Sequence, residues 1–129
     1  MISAVYAALS ALLIVWLSLR VIRLRRAEKV KLGDGGLAAL QNAIRAQGNA
    51  TEYVPISLIL LFLLEYDGGA PWLIHLGGSA ILAGRLLHAK GLLSDNMPYR
   101  VLGMQFTIFS LIGLAIANLA YLAFQRFWP

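Results

Sequence analysis

The sequence predicts an all-α integral membrane protein folded as a four-helix up-down bundle, and three observations predict it. Of its 129 residues, 60% are hydrophobic and only 13% are charged, whereas an average soluble domain carries roughly 25% charged residues. Apolar runs recur four times, and four spans of about 20 residues each use most of the chain. The charged residues gather in or beside the short connections, and the mean hydropathy is +0.74. The length suits one domain, residues 1–129, and no more.

The first span is expected over about residues 2–24, with an uncharged stretch from Ile2 to Leu19. A cleaved signal peptide carries positive charge before its apolar core. Here Arg20, Arg23, Arg25, Arg26, Lys29 and Lys31 follow the core instead, which suits a retained helix. Gly33-Asp34-Gly35-Gly36 is a turn signal. The second span, about 37–65, is purely apolar only from Val54 to Leu64, so its helix must start earlier and carry Arg45, Asn49 and Glu52 near or into the membrane. An acidic turn from Glu65 to Pro71 leads to the third span, about 71–90, with Arg85 and His88 near its end. The fourth, about 99–125, is closed by Arg126-Phe127-Trp128, an aromatic interfacial anchor.

Every one of the eleven Lys and Arg residues except Arg126 lies between Arg20 and Arg100, on or near the first and third connections. By the positive-inside rule both connections are cytoplasmic and both termini lie outside. The net charge of +5 therefore reads as a topology signal, and no nucleic-acid partner is expected. With no cysteine and two distant histidines, no metal site and no cysteine nucleophile are expected.

Ionisable residues within membrane helices mark functional sites by default. Arg45, Asn49 and Glu52, spaced i, i+4 and i+7, put a guanidinium, an amide and a carboxylate on one helical stripe. Tyr53 stands at its margin and Gln47 off it. A guanidinium suits a carboxylate, a buried Glu suits an ammonium, and an amide suits peptide groups, so the stripe reads as a site for a small zwitterionic peptide. The other reading is that Arg45 and Glu52 satisfy charges across a helix interface. Arg85, at a helix end, reads as snorkelling to the interface, with His88 one turn away and able to share a cavity with it. Pro98-Tyr99-Arg100 opens the fourth span: Pro suits a first turn, and Arg100 adds its charge to a helix N-terminus, either to stabilise an anion or as an interfacial anchor. Gln105 and Asn118 are expected to bond neighbouring helices, and Gly77-Gly78-Ser79 offers a small-residue packing face.

These motifs resemble those of the MAPEG family, membrane-associated proteins in eicosanoid and glutathione metabolism. Arg45-Ala46-Gln47-x-Asn49-x-x-Glu52-Tyr53-x-Pro55 is similar to the family's second-helix motif, Gly84-Arg85-Leu86-Leu87-His88 to its third, and Pro98-x-Arg100 to the start of its fourth. Arg25-Arg26-Ala27 follows the first helix as in the family, and the short loops resemble the bacterial branch. The resemblance implies a homotrimer in the bacterial inner membrane that binds glutathione between subunits. By matched position, Arg25, Arg45, Gln47, Asn49, Glu52, Tyr53, Arg85 and His88 would hold glutathione, with Glu52 taking its ammonium and the arginines its carboxylates. Arg100 would be the catalytic residue, stabilising the thiolate. The sequence departs from the family's synthases at Leu92, where they carry a Tyr, and at Met104, where one of them does, so eicosanoid synthesis is not implied.

The expected function is that of a membrane glutathione transferase, with or without peroxidase activity, whose thiolate attacks a small hydrophobic electrophile arriving from the lipid. The alternatives are a glutathione-binding membrane protein without turnover, or a structural or transport bundle. No residue selects the electrophile.

Overall fold

A computed structural model describes residues 1–127, which form four α-helices: α1 (Ile2–Glu28), α2 (Ala38–Tyr66), α3 (Pro71–Leu93) and α4 (Met97–Phe127). Trp128, the outermost part of the expected aromatic anchor, lies outside the described residues. α1 continues past residue 24 because Arg25 and Arg26 occupy its last turn, where cations complement the negative end of the helix dipole. It stops at Lys29, which turns left-handed (φ 56°). α4 begins before residue 99 because the Asn96 side chain accepts the Tyr99 N–H at 3.2 Å, capping the first turn. α2 runs unbroken through Pro55 although that residue offers no N–H to the carbonyl of Thr51.

The short connections make neighbouring helices antiparallel. α2 and α3 each touch the other three helices, whereas α1 and α4 do not meet among the described residues. The cross-section is therefore a rhombus with α2 and α3 on its short diagonal. α1 and α4 are each long and apolar enough to cross a bilayer, and they turn Leu9, Leu12, Val15, Phe109, Ile116 and Leu119 outward. So continuous an apolar exterior belongs in lipid rather than water. The chain is an integral membrane four-helix up-down bundle.

Two apolar clusters hold the bundle. At the basic end Leu13 and Leu17 of α1 pack on Ala46 and Ala50 of α2 and on Ala89 and Leu92 of α3. At the other end Leu61, Leu64, Ile74, Ile81 and Leu114 join α2, α3 and α4. Buried polar side chains (Ser10, Ser57, Arg85 and Thr107) accompany these apolar clusters. Asn118 bonds the Leu60 carbonyl at 3.0 Å, tying α4 to α2 as expected. Gln105 instead is exposed and lines an outer groove between α3 and α4. Gly77 lies against Leu114 and Leu61, and Gly78 beneath the Tyr6 ring, so the small-residue face does serve close packing.

At the end opposite the basic loops, the Glu65 carboxylate accepts the backbone N–H of Ser3 at 2.8 Å, that of Ile2, and the Ser3 hydroxyl. An acidic residue of α2 thus caps the N-terminus of α1, where the helix leaves its first amides without partners.

Candidate functional site

α2 turns Ala43, Ala46, Ala50 and Val54 into the bundle, which leaves Arg45 and Glu52 on its outer side. Arg45 Nη1 and Glu52 Oε1 are 3.6 Å apart, and each side chain is 54% exposed. The pair arches over Gly48: a Cβ there would lie 3.8 Å from the guanidinium and 4.0 Å from the carboxylate. The charges thus meet along one helix rather than across an interface within the chain. Their separation exceeds hydrogen-bond length, so both groups keep donors and acceptors free for something beyond α2. Such a pair on the outer face of a membrane helix needs a polar cover, because lipid offers neither charge a partner.

Asn49 and Tyr53 stand beside this pair and turn toward α3, where Arg85 lies. Arg85 does not snorkel. It is 2% exposed, with its guanidinium held on every side. Nη1 donates to Asn49 Oδ1 at 2.6 Å. Nε and Nη2 donate to the Thr107 hydroxyl at 2.9 and 2.6 Å, and Nη2 also reaches the Met104 sulfur at 3.6 Å. The guanidinium carbon lies 5.4 Å from the centre of the Tyr53 ring, a cation–π distance. The interhelical crossing, not the helix end, decides this: Thr107 is the acceptor that draws Arg85 inward. All of these partners are neutral, and no carboxylate bonds Arg85 among the described residues. A buried, uncompensated positive charge results.

His88 follows one turn later and is 4% exposed. Arg85 lies one turn before it on α3, and Arg100 approaches from across the α3–α4 crossing. Arg100 comes this close because α3 and α4 cross on glycine. A Cβ on Gly91 would lie 2.3 Å from the Arg100 backbone nitrogen, and one on Gly103 would lie 2.3 Å from that of His88. Neither position tolerates a side chain without the helices moving apart. Arg100 sits in the first turn of α4 with its side chain exposed.

The structure therefore brings Arg45, Asn49, Glu52, Tyr53, Arg85, His88 and Arg100 to one region near the basic end. Gln47 is half-buried and stands off the stripe. Arg25 is engaged elsewhere in the chain, donating to the Gly33 carbonyl at 2.7 Å. Leu92, where family synthases carry a Tyr, is buried in the apolar cluster with Leu13 and Leu17. Met104, the other such position, supplies its sulfur to Arg85. Thr107 was not foreseen. The sequence signal for it is a hydroxyl residue within a largely apolar span, four residues after Gly103, whose carbonyl it bonds at 2.9 Å.

The region holds three guanidinium groups against the one carboxylate of Glu52. It can accept a small molecule with more than one anionic group and a single cationic one. Arg100, exposed beside a helix N-terminus, can stabilise an anion at the rim.

Residues 3–120 match the profile of the MAPEG family. The inner membrane protein YecN of Escherichia coli strain K12 is 43% identical over 125 residues, covering 97% of this chain and 95% of that protein. YecN of Escherichia coli O6:H1, strain CFT073, matches with the same identity and coverage.

Proposed function

The chain belongs to the MAPEG family, and from that membership and the geometry above we propose that it is a glutathione transferase of the bacterial inner membrane. The observation that carries this reading is the buried guanidinium of Arg85, held by Asn49 beside the outward Arg45–Glu52 pair. Glutathione is the complement of that arrangement, with two carboxylates, one ammonium, peptide groups and a thiol. Glu52 takes the ammonium. Arg45 takes a carboxylate, while Asn49, held by Arg85, offers its amide to the peptide. Tyr53 and His88 line the ligand, with Arg85 supplying field from below. Gln47 and Arg25 contribute from a neighbouring copy in a homotrimer, whose association also gives the exposed Arg45–Glu52 pair its polar cover.

Arg100 holds the sulfur. A cation beside the sulfur favours the thiolate over the thiol, and the thiolate is the nucleophile. It attacks an electrophilic carbon of an apolar substrate drawn from the lipid. A carbon–sulfur bond forms and the displaced group leaves with its electron pair. Holding both reactants at one place supplies much of the acceleration. The basic end faces the cytoplasm and both termini lie outside, by the charge distribution of the connections.

A second reading, glutathione binding without turnover, is favoured by the absence of a phenol at Leu92 and Met104. Arg100→Ala separates the two: a transferase loses rate more than affinity. The test of the site is calorimetry on the purified protein in detergent. The expected result is glutathione binding by wild type and its loss in Arg45→Ala and Glu52→Ala, with both variants still helical. No binding by wild type at millimolar glutathione would overturn the proposal and leave the stripe as contact surface between helices.

A further inference from the structure

On the lipid-facing side, away from the outer stripe of α2, α1 and α3 enclose a groove in two contiguous parts. The deeper part, about 360 Å³, is walled by Leu9, Leu13, Trp16, Leu82 and Leu86. The part nearer the basic end, about 420 Å³, shares Trp16 and Leu86 and adds Arg20, Lys90 and Ser94. The two cations come from different helices, each about one turn beyond the shared residues. Trp16 is 48% exposed, and an outward Trp followed by a basic residue marks the membrane–water interface. Lys90 is held at the groove mouth by the Tyr99 ring, 4.5 Å from Nζ. Neither Arg20 nor Lys90 forms an ion pair among the described residues.

A groove that is apolar along its length and doubly cationic at its interfacial end matches one kind of amphiphile. We infer that it seats an anionic phospholipid. The phosphate lies between Arg20 and Lys90, and one acyl chain runs past Trp16 and Leu86 toward Leu9. Leu9 and Trp16 are seven positions apart on α1, about 10 Å of helix, enough for the first half of an acyl chain. Basic pockets between membrane helices on the cytoplasmic side recognise anionic head groups in this way. Ala89 lines the groove while its neighbour His88 faces the arginine cluster, so the lipid and the glutathione region share α3 back to back. The inference does not depend on catalysis.

The test uses the full chain in detergent, titrated with phosphatidylglycerol or phosphatidylcholine. Bound lipid is counted by native mass spectrometry, and unfolding is followed by heat. The expected result is discrete phosphatidylglycerol adducts and a raised melting temperature, with neither effect from phosphatidylcholine. Arg20→Gln/Lys90→Gln should lower phosphatidylglycerol occupancy by roughly tenfold or more while leaving lipid-free stability unchanged. Leu82→Trp, which fills the groove, should do the same with every charge in place. Arg23→Gln/Arg26→Gln removes two charges from the same end outside the groove and should have little effect. Equal binding of both lipids, or an equal loss in the two charge-matched double variants, would overturn the inference in favour of general surface attraction.

Discussion

The hydroxyl of Thr107 accepts both Nε and Nη2 of Arg85, at 2.9 and 2.6 Å, and donates its own proton to the Gly103 carbonyl. One side chain of α4 thus holds the buried cation of α3. Thr107→Val keeps the shape and removes the acceptor, leaving two donors of a buried charge unpaired. It should destabilise the protein by roughly 1–3 kcal/mol, while Thr107→Ser should cost much less. Unfolding in detergent, wild type beside both variants, checks this.

Glu52 has a role separable from that of Arg45. If its carboxylate takes the glutamyl ammonium, a glutathione analogue lacking the amine should bind wild type about tenfold more weakly. The same analogue should lose nothing further on Glu52→Gln. A calorimetric double-mutant cycle reads the coupling directly.

Arg100 is expected to act on the acid limb of the rate profile. Without its charge the bound thiol holds its proton to higher pH, so Arg100→Ala should move the rise in kcat to more alkaline values. Arg100→Lys, which keeps the charge, should fall between. Rates for a halonitroarene across pH, at saturating glutathione, decide it.

The α3–α4 crossing admits no methyl group. In Gly91→Ala the new Cβ meets the backbone of Arg100 at 2.3 Å, and α4 must shift at its first turn. Overpacking of this kind costs about 1–3 kcal/mol. Turnover should fall with glutathione affinity largely retained, because the stripe on α2 is untouched. The contrast between kcat and binding is the readout.

Glu65 caps α1 from a distance. Glu65→Gln should lower the melting temperature by a few degrees and leave glutathione binding as it was, since the cap lies at the opposite end from the arginines.

Four helices were legible because apolar runs and Gly- or Pro-rich turns alternate so regularly. The outward Arg45–Glu52 pair on α2 was legible because i and i+7 lie on one face of any helix, whereas Asn49, between them, turns toward Arg85. The inward turn of Arg85 was not. Its acceptor Thr107 is 22 residues away, and only the close approach at Gly103 brings it within reach. Position near a helix end pointed to the interface, and tertiary packing overrode it. The Glu65 cap was hidden for the same reason, since 62 residues separate it from Ser3. Leu92 and Met104 were visible as departures, but what fills their places became clear only from packing: a core contact in one case, a sulfur facing Arg85 in the other.

The neutral collar around Arg85 also bears on the order in which the chain is made. When Arg85 leaves the ribosome, Asn49 and Tyr53 are already outside, but Thr107, 22 residues later, is still enclosed in the exit tunnel. A guanidinium entering the bilayer at that moment has Nε and Nη2 unmet, a state that hydrocarbon penalises by several kcal/mol for each unsatisfied group. Only three residues separate α3 from α4, so the missing acceptor follows closely. α3 and α4 are thereby coupled into a single hairpin at insertion, and the third helix gains a stable place in the membrane once the fourth has arrived beside it.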